Sequence, residues 1–311
     1  MTELAYAPAL NPPDREIAPP TTSAVRQEIE ILRLLCALGI VWLHAGVLGS
    51  HVGMAGSVVF AALSVYLSGT KKTVLQRGQR LLIPWVLWSL VYGAVAIAQS
   101  RPPLNFDNGV IAGILRGPAY HLWYLPFIFT VLIILAPYKR KVSPQVQAWT
   151  GAVGALASLL TFRFWFPESE SWDLPWSHYV RILPAAFFGL FLSRAGKLSR
   201  WHGRSMMVLI WLATLTLPSA GIGLAYKVGF AVAIVALLWP PRFPIKVDAR
   251  PWSRCTMGIY LLHPLLLMAL IPYRDSLSVL MPMIAFAGSA ILVRLALLSP
   301  WAARYALGAT Q

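Results

Sequence analysis

Long apolar segments recur along the whole chain, and their length constrains the fold more than any other feature. A helix needs roughly 17–25 mostly apolar residues to cross the hydrocarbon core of a bilayer. Ten candidate spans are found at residues 31–50, 54–69, 81–99, 122–137, 146–166, 178–193, 205–221, 226–241, 253–272 and 277–299. The pattern predicts an all-α, polytopic membrane protein with about ten transmembrane helices.

The composition supports the same class of protein. Hydrophobic residues make up 58% of the chain and charged residues only 12%, whereas soluble domains carry about 25% charged residues. The net charge of +15 could suggest a nucleic-acid ligand. The basic residues, however, lie in short clusters between apolar segments, so no soluble basic face is expected and we exclude nucleic-acid binding.

The basic clusters also predict the orientation in the membrane. With the N-terminus in the cytoplasm, nineteen Lys and Arg residues fall on the cytoplasmic side and four in external loops, as the positive-inside rule requires. Both termini are therefore expected in the cytoplasm, and the protein in the inner (plasma) membrane as a multi-pass protein. Residues 1–27, which are rich in proline, are predicted to form a disordered cytoplasmic tail. Residues 28–303 then form the membrane domain, and 304–311 a short cytoplasmic tail.

The first span contains an ionisable residue near mid-membrane. Residues 28–46 read EIEILRLLCALGIVWLHAG and place Arg33 at the cytoplasmic end and His44 eleven residues later. Eleven residues make about three turns, so both side chains lie on one helix face, about 16 Å apart. Glu30 is three residues before Arg33 and is expected to pair with it. A buried structural histidine is one interpretation of His44, and a catalytic or water-filled cavity is the other.

The ninth span repeats this arrangement. Its sequence MGIYLLHPLLL places Tyr260 and His263 three residues apart, on one face. Pro264 follows and removes a helix hydrogen bond. A functional role and a structural role for His263 are both open at this level.

Two further clusters are candidates for binding. Arg77 and Arg80 lie one helical turn apart before the third span, where they either mark the cytoplasmic side or bind phosphate through bidentate guanidinium contacts. The fourth span opens with YHLWYLPFIF, so His121 and Trp123 lie at the external interface, either in an aromatic belt or against a sugar. The two cysteines, Cys36 and Cys255, show no metal-ligand spacing, and no metal site is predicted.

In combination these motifs resemble the membrane acyltransferase-3 family. The chain carries, in order, an arginine and a histidine with ten residues between them, then SVYLSG and RGQRLLIPW, then HLWYLPFIF, then GIYLLHP. SVYLSG departs from the FFxLSGF form that is commoner in the family, because it runs directly into TKK. The motifs extend from residue 28 to about 266, and each is loose by itself.

The resemblance implies a ten-helix membrane O-acyltransferase. Such enzymes take an acyl group, usually acetyl, from cytoplasmic acyl-coenzyme A and deliver it to a hydroxyl of a glycan or lipid-linked sugar, here an exopolysaccharide or another cell-surface glycan. By motif match, His44 is the expected catalytic residue, with Arg33 as its partner and Glu30 beside it. Arg77 and Arg80 match the paired arginines associated with coenzyme A. The substrate-binding residues expected on the remaining motifs are His121, Trp123, Tyr260 and His263.

Two mechanisms of acyl transfer are compatible with these residues. Two other classes of function are compatible with a helical membrane fold. His44 could act as a general base on the attacking hydroxyl or form an acyl-histidine intermediate. A transporter or exporter with His44 and His263 as proton sites is the alternative function, although related halves with interrupted helices are not visible. A scaffold protein would not need intramembrane histidines. The acceptor sugar, the acyl chain and the oligomeric state are not specified by these residues.

Overall fold

The computed structural model describes residues 26–238 and 247–308. Within those ranges the chain forms helices and no β-strand, which confirms the all-α prediction. The α-helices are α1 (Gln27–Ala45), α2 (Ser50–Tyr66), α3 (Val74–Ala98), α4 (Val110–Arg116), α5 (Tyr124–Lys141), α6 (Pro144–Leu160), α7 (Phe162–Ser171), α8 (Trp176–Arg194), α9 (Arg200–Thr214), α10 (Gly221–Leu238), α11 (Arg250–Ser253), α12 (Thr256–Leu270), α13 (Arg274–Leu277) and α14 (Leu280–Ala296). The predicted tail lies outside the described residues, apart from its last two positions.

Each of the ten predicted spans contains one long helix, but several boundaries differ. The first segment was expected to continue to residue 50, whereas α1 ends at Ala45. The reason is local: Gly46 adopts a left-handed conformation with φ of 62°, and its N–H bonds the Leu43 carbonyl. A residue in this left-handed conformation ends the helix, and glycine is favoured there because other residues rarely tolerate positive φ.

Two helical stretches, Val74–Ala98 and Thr256–Leu277, are long and apolar enough to cross a bilayer by length and composition. Three shorter apolar helices are Ser50–Tyr66, Gly221–Ala236 and Leu280–Ala296. Large apolar side chains also face outward from several helices, as at Leu35, Leu90, Val153, Leu212 and Ile291. An exterior of this kind suits contact with lipid. The number of crossings stays a prediction.

The packing brings the two ends of the chain together. Helix α1 packs against α2 on one side and against α12 and α14 on the other. Helix α2 packs in turn on α8 and α10. The larger hydrophobic core includes Ile40, Val58, Phe188 and Phe230, while a second cluster joins Val41 to Ile259 and Val293. As a result α1 and α12, which carry the two predicted intramembrane histidines, are neighbours.

The C-terminal residues also pack against the bundle. After a π-helical turn at Ala302–Ala306, Leu307 is buried. The indole N–H of Trp88 donates to the Ala306 carbonyl at 3.0 Å. These contacts hold the C-terminal segment against α3, the helix that carries Arg77 and Arg80.

Candidate active site

His44 on α1 and His263 on α12 form a hydrogen-bonded pair. The distance between His44 Nδ1 and His263 Nε2 is 2.8 Å. The rings are almost parallel, with an interplanar angle of 4° and centroids 5.1 Å apart. His263 is fully buried. The pair joins residues separated by 219 positions, a contact that the sequence motifs did not predict.

With both rings neutral, the surrounding hydrogen bonds determine which nitrogen of each ring carries the proton. His263 Nδ1 lies 3.0 Å from the Ile259 carbonyl oxygen, which can only accept, so Nδ1 carries the proton. His263 Nε2 is therefore an acceptor, and His44 Nδ1 must donate to it. His44 Nε2 is left with a free lone pair, which is the state that a base requires.

A third histidine lies beside the pair. The His121 ring centroid is 5.5 Å from that of His263 and 6.5 Å from that of His44. His121 is buried, and neither ring nitrogen has a hydrogen-bond partner within the described part of the chain. Because buried polar groups are normally paired, these nitrogens are available to a ligand. The Tyr120 ring stands edge-on to His44 at 4.6 Å.

A small cavity of about 40 Å³ connects these groups. Among the side chains that line it are His44, His121, Trp123 and Tyr260. The Tyr260 hydroxyl donates a hydrogen bond to the His121 carbonyl. We call this space the histidine cavity. In the described residues, no group of three or more His, Cys, Asp or Glu is arranged to hold a metal ion.

A second cavity, of about 220 Å³, is strongly basic. None of its lining residues is acidic, and four of them are cations: Arg33, Lys72, Arg77 and Arg80. We call it the basic vestibule. Such a site favours a ligand with several negative charges, since guanidinium groups and lysine amines both bind phosphate.

Arg77 and Lys72 show how the vestibule is prepared for an anion. Arg77 is buried and donates from Nη2 to the Gly69 carbonyl at 2.6 Å. Its Nε has no partner among the described residues. Lys72 lies at an exposed position in the loop between α2 and α3, where partial desolvation, and then the charges of Arg80 and Arg77, lower the pKa of its amine. Each cation raises the free energy of keeping its neighbours charged, and a bound anion would lower that free energy.

Glu30 positions the Arg33 side chain through an ion pair. The ion pair expected from their spacing is present, with Arg33 Nη1 3.0 Å from Glu30 Oε2. Arg33 Nη2 also donates to Thr256 Oγ1 at 3.2 Å, and Ser253 Oγ donates to the same Glu30 carboxylate. These bonds tie α1 to the end of α11 and the start of α12, and they fix the Arg33 guanidinium at the vestibule.

Residues 26–299 match the sequence profile of an acyltransferase domain. The chain belongs to the acyltransferase-3 family. It is therefore an acyltransferase, and a membrane protein as members of this family are. No curated protein and no solved structure matches it.

In this acyltransferase-3 protein the predicted site residues fall into two groups. His44, His121, Trp123, Tyr260 and His263 gather at or beside the histidine cavity. The other group surrounds the basic vestibule and consists of Arg33, Arg77 and Arg80, with Glu30 outside it against Arg33. Tyr260 lines both cavities.

Sequence reasoning missed several residues of this family member's site. Lys72 was assigned only to membrane orientation, yet it lines the vestibule. Ser57, Phe60 and Ser64 on α2 line one or both cavities. The signal was present, since these positions are three and four residues apart and so share one helix face.

Proposed function

We propose that this acyltransferase transfers an acyl group, acetyl in the first instance, from cytoplasmic acyl-coenzyme A to a hydroxyl of an exopolysaccharide or other cell-surface glycan. The observation that carries the proposal is the pairing of two cavities. The basic vestibule and the histidine cavity meet at shared side chains, so a charged donor and a base lie on one path. Family membership supplies the reaction type, while the donor, the acceptor and the residue roles are proposed.

The donor binds in the vestibule. Coenzyme A carries several phosphate charges, and Arg77, Arg80 and Lys72 present cations without a competing carboxylate in the cavity lining. The Arg77 Nε–H, which has no partner among the described residues, is available to donate a hydrogen bond to a phosphate oxygen. The summed positive potential also attracts the anionic donor from solution. Arg33, held by Glu30, stands on the same cavity.

The chemistry takes place at His44. The acceptor oxygen attacks the thioester carbonyl carbon while His44 Nε2 takes the hydroxyl proton. The carbon–sulfur bond then breaks, and the proton passes to the departing thiolate of coenzyme A. His263 supports this role because its Nε2 accepts from His44 Nδ1. An acyl-histidine route would use the same free nitrogen as a nucleophile.

The acceptor approaches from the opposite end of the path. His121 offers two unpartnered ring nitrogens, which suit hydrogen bonds to sugar hydroxyls. Only the acceptor hydroxyl enters the histidine cavity, and Trp123, which is partly buried at the wall of that cavity, provides an aromatic face for the sugar ring outside it. In the proposed topology this end faces outward, with ten helices crossing the inner (plasma) membrane and both termini in the cytoplasm.

The test is transfer of label from radiolabelled acetyl-coenzyme A into the glycan and lipid fractions of isolated membranes. Wild type is compared with His44→Ala and with His202→Ala, whose histidine is exposed on α9 away from both cavities. We expect incorporation with wild type and His202→Ala. With His44→Ala we expect a loss of roughly 10²-fold or more, the contribution of a positioned base.

Two results would contradict the proposal. Normal incorporation by a well-expressed His44→Ala protein would remove His44 from catalysis. No incorporation from acetyl-coenzyme A or longer acyl donors by wild type would favour the transporter alternative, with the hydrogen-bonded His44–His263 pair as a proton site.

A further inference from the structure

Three aromatic side chains line both cavities and separate one from the other. They are Phe60 on α2, Tyr124 on α5 and Tyr260 on α12. The Phe60 ring centroid is 5.8 Å from that of Tyr124 and 6.5 Å from that of Tyr260, and the two tyrosine rings are 5.8 Å apart. These spacings are those of contacting aromatic pairs. We call the three residues the aromatic partition.

Two members of the aromatic partition are tethered and one is not. The Tyr124 hydroxyl is hydrogen-bonded to Ser64 Oγ at 3.0 Å, and Tyr260 is bonded to the His121 carbonyl. Both tyrosines are buried. Phe60 has no polar group to anchor it and is only partly buried. A group that moves from the vestibule to His44 must therefore displace one of these three side chains, and displacing Phe60 breaks no hydrogen bond.

The space beyond the partition is small. The vestibule has a volume of about 220 Å³, whereas the histidine cavity has about 40 Å³. The histidine cavity therefore has about one fifth of the vestibule's volume, so a methyl group beyond the acyl carbon fits there more easily than a longer chain.

We propose that Phe60 is a specificity-determining residue, which limits the length of the acyl chain that reaches His44. The inference rests on the proposed function. Phe60 stands at the passage from the vestibule and also forms a wall of the histidine cavity. A two-carbon acyl group passes and fits, while each further methylene must push Phe60 away from the two tethered tyrosines. Removing the phenyl ring joins the two cavities and lifts the limit.

The test is a donor series of acetyl-, propionyl- and butyryl-coenzyme A with wild type, Phe60→Ala and Phe60→Leu. One methylene in a tight apolar pocket changes kcat/KM by about 10- to 200-fold. Since butyryl is two methylenes longer than acetyl, we expect wild type to prefer acetyl over butyryl by at least about 100-fold, Phe60→Ala to reduce the preference to less than about tenfold, and Phe60→Leu to lie between them. The matched control is Phe129→Ala, a partly buried phenylalanine on α5 that lines neither cavity. It should keep the wild-type preference.

The possible failures can be told apart. Equal use of the three donors by wild type would overturn the role of Phe60 and leave the proposed function standing. So would an unchanged preference in both Phe60 variants, provided that they still transfer acetyl. If Phe60→Ala does not fold, Phe60→Leu decides between the outcomes. No transfer from any donor by wild type would overturn the proposed function, and the proposed role of Phe60 with it.

Discussion

At the scale of single residues, His263 determines which nitrogen of His44 carries a proton. Its Nδ1 donates to the Ile259 carbonyl and its Nε2 accepts from His44 Nδ1. In His263→Gln the amide oxygen falls near the original Nε2 and can still accept. In His263→Leu no acceptor remains, and the lone pair of His44 is no longer directed to Nε2.

We therefore predict different rates for the two His263 variants. The kcat of His263→Leu should fall roughly 100-fold, the scale of a lost general base, and His263→Gln should retain about ten times more activity than the leucine variant. The KM for acyl-coenzyme A should stay unchanged in both, because His263 does not line the vestibule. Initial rates measured against donor concentration check this. Equal kcat values in the two variants would show that His263 only fills space.

The residue-scale site was predictable where spacing along one helix is enough. The Glu30–Arg33 pair follows from a separation of three residues, and it is present at 3.0 Å. The His44–His263 contact could not be predicted in this way, because it depends on how α1 and α12 pack across a sequence separation of 219 positions. Lys72 was missed for a related reason. From sequence alone, a lysine in a loop can mark the cytoplasmic side or bind a ligand, and only the folded loop shows that it lines a cavity.

At the scale of helices, glycines determine how closely α1 and α2 approach. A Cβ added at Gly56 would lie 2.5 Å from the Cys36 carbonyl oxygen, and one added at Gly53 would lie 2.4 Å from the Gly39 carbonyl oxygen. Backbone atoms of α1 cannot move aside without shifting the whole helix. Close approach of this kind is common in membrane helix pairs, where small residues let backbones meet.

We predict that Gly56→Ala separates α1 from α2. The free energy of unfolding should fall by about 1–3 kcal/mol, the usual cost of overpacking, and acyl transfer should fall because α1 carries His44. Thermal unfolding in detergent and the labelled-acetyl assay measure the two effects. Gly196→Ala is the control, since nothing lies within 4 Å of its added Cβ. A Gly56→Ala protein as stable as that control would contradict the packing argument.

The long helices were predictable in place, but not at their ends. Apolar length marks each long helix, because burial or lipid contact of some twenty residues needs a continuous apolar segment. The ends depend on short-range features such as the left-handed Gly46 and the capping box of Thr73 and Gln76 at the start of α3. The short helices α4 and α7 were not predicted, since neither has the length that an apolar pattern reveals.

At the scale of the whole molecule, the proposed reaction requires the two cavities to open to opposite sides of the membrane. The charge distribution predicts that the loop near residue 101 is external and the loop near 197 cytoplasmic. Three crossings separate these loops in the ten-span arrangement, so they must lie on opposite sides. An even number of crossings would place both loops on one side, which conflicts with a donor and an acceptor that arrive from different compartments.

Single-cysteine labelling tests this arrangement directly. The native thiols, Cys36 and Cys255, are free and buried, so replacing both with alanine gives a background without thiols. Arg101→Cys and Lys197→Cys then place one thiol at an exposed position in each loop. An impermeant maleimide on intact cells or spheroplasts should label Arg101→Cys alone, and permeabilised cells should label both. Labelling of both from outside would contradict the odd number of crossings. Labelling of Lys197→Cys alone would invert the orientation and place the basic vestibule outside, away from cytoplasmic acyl-coenzyme A.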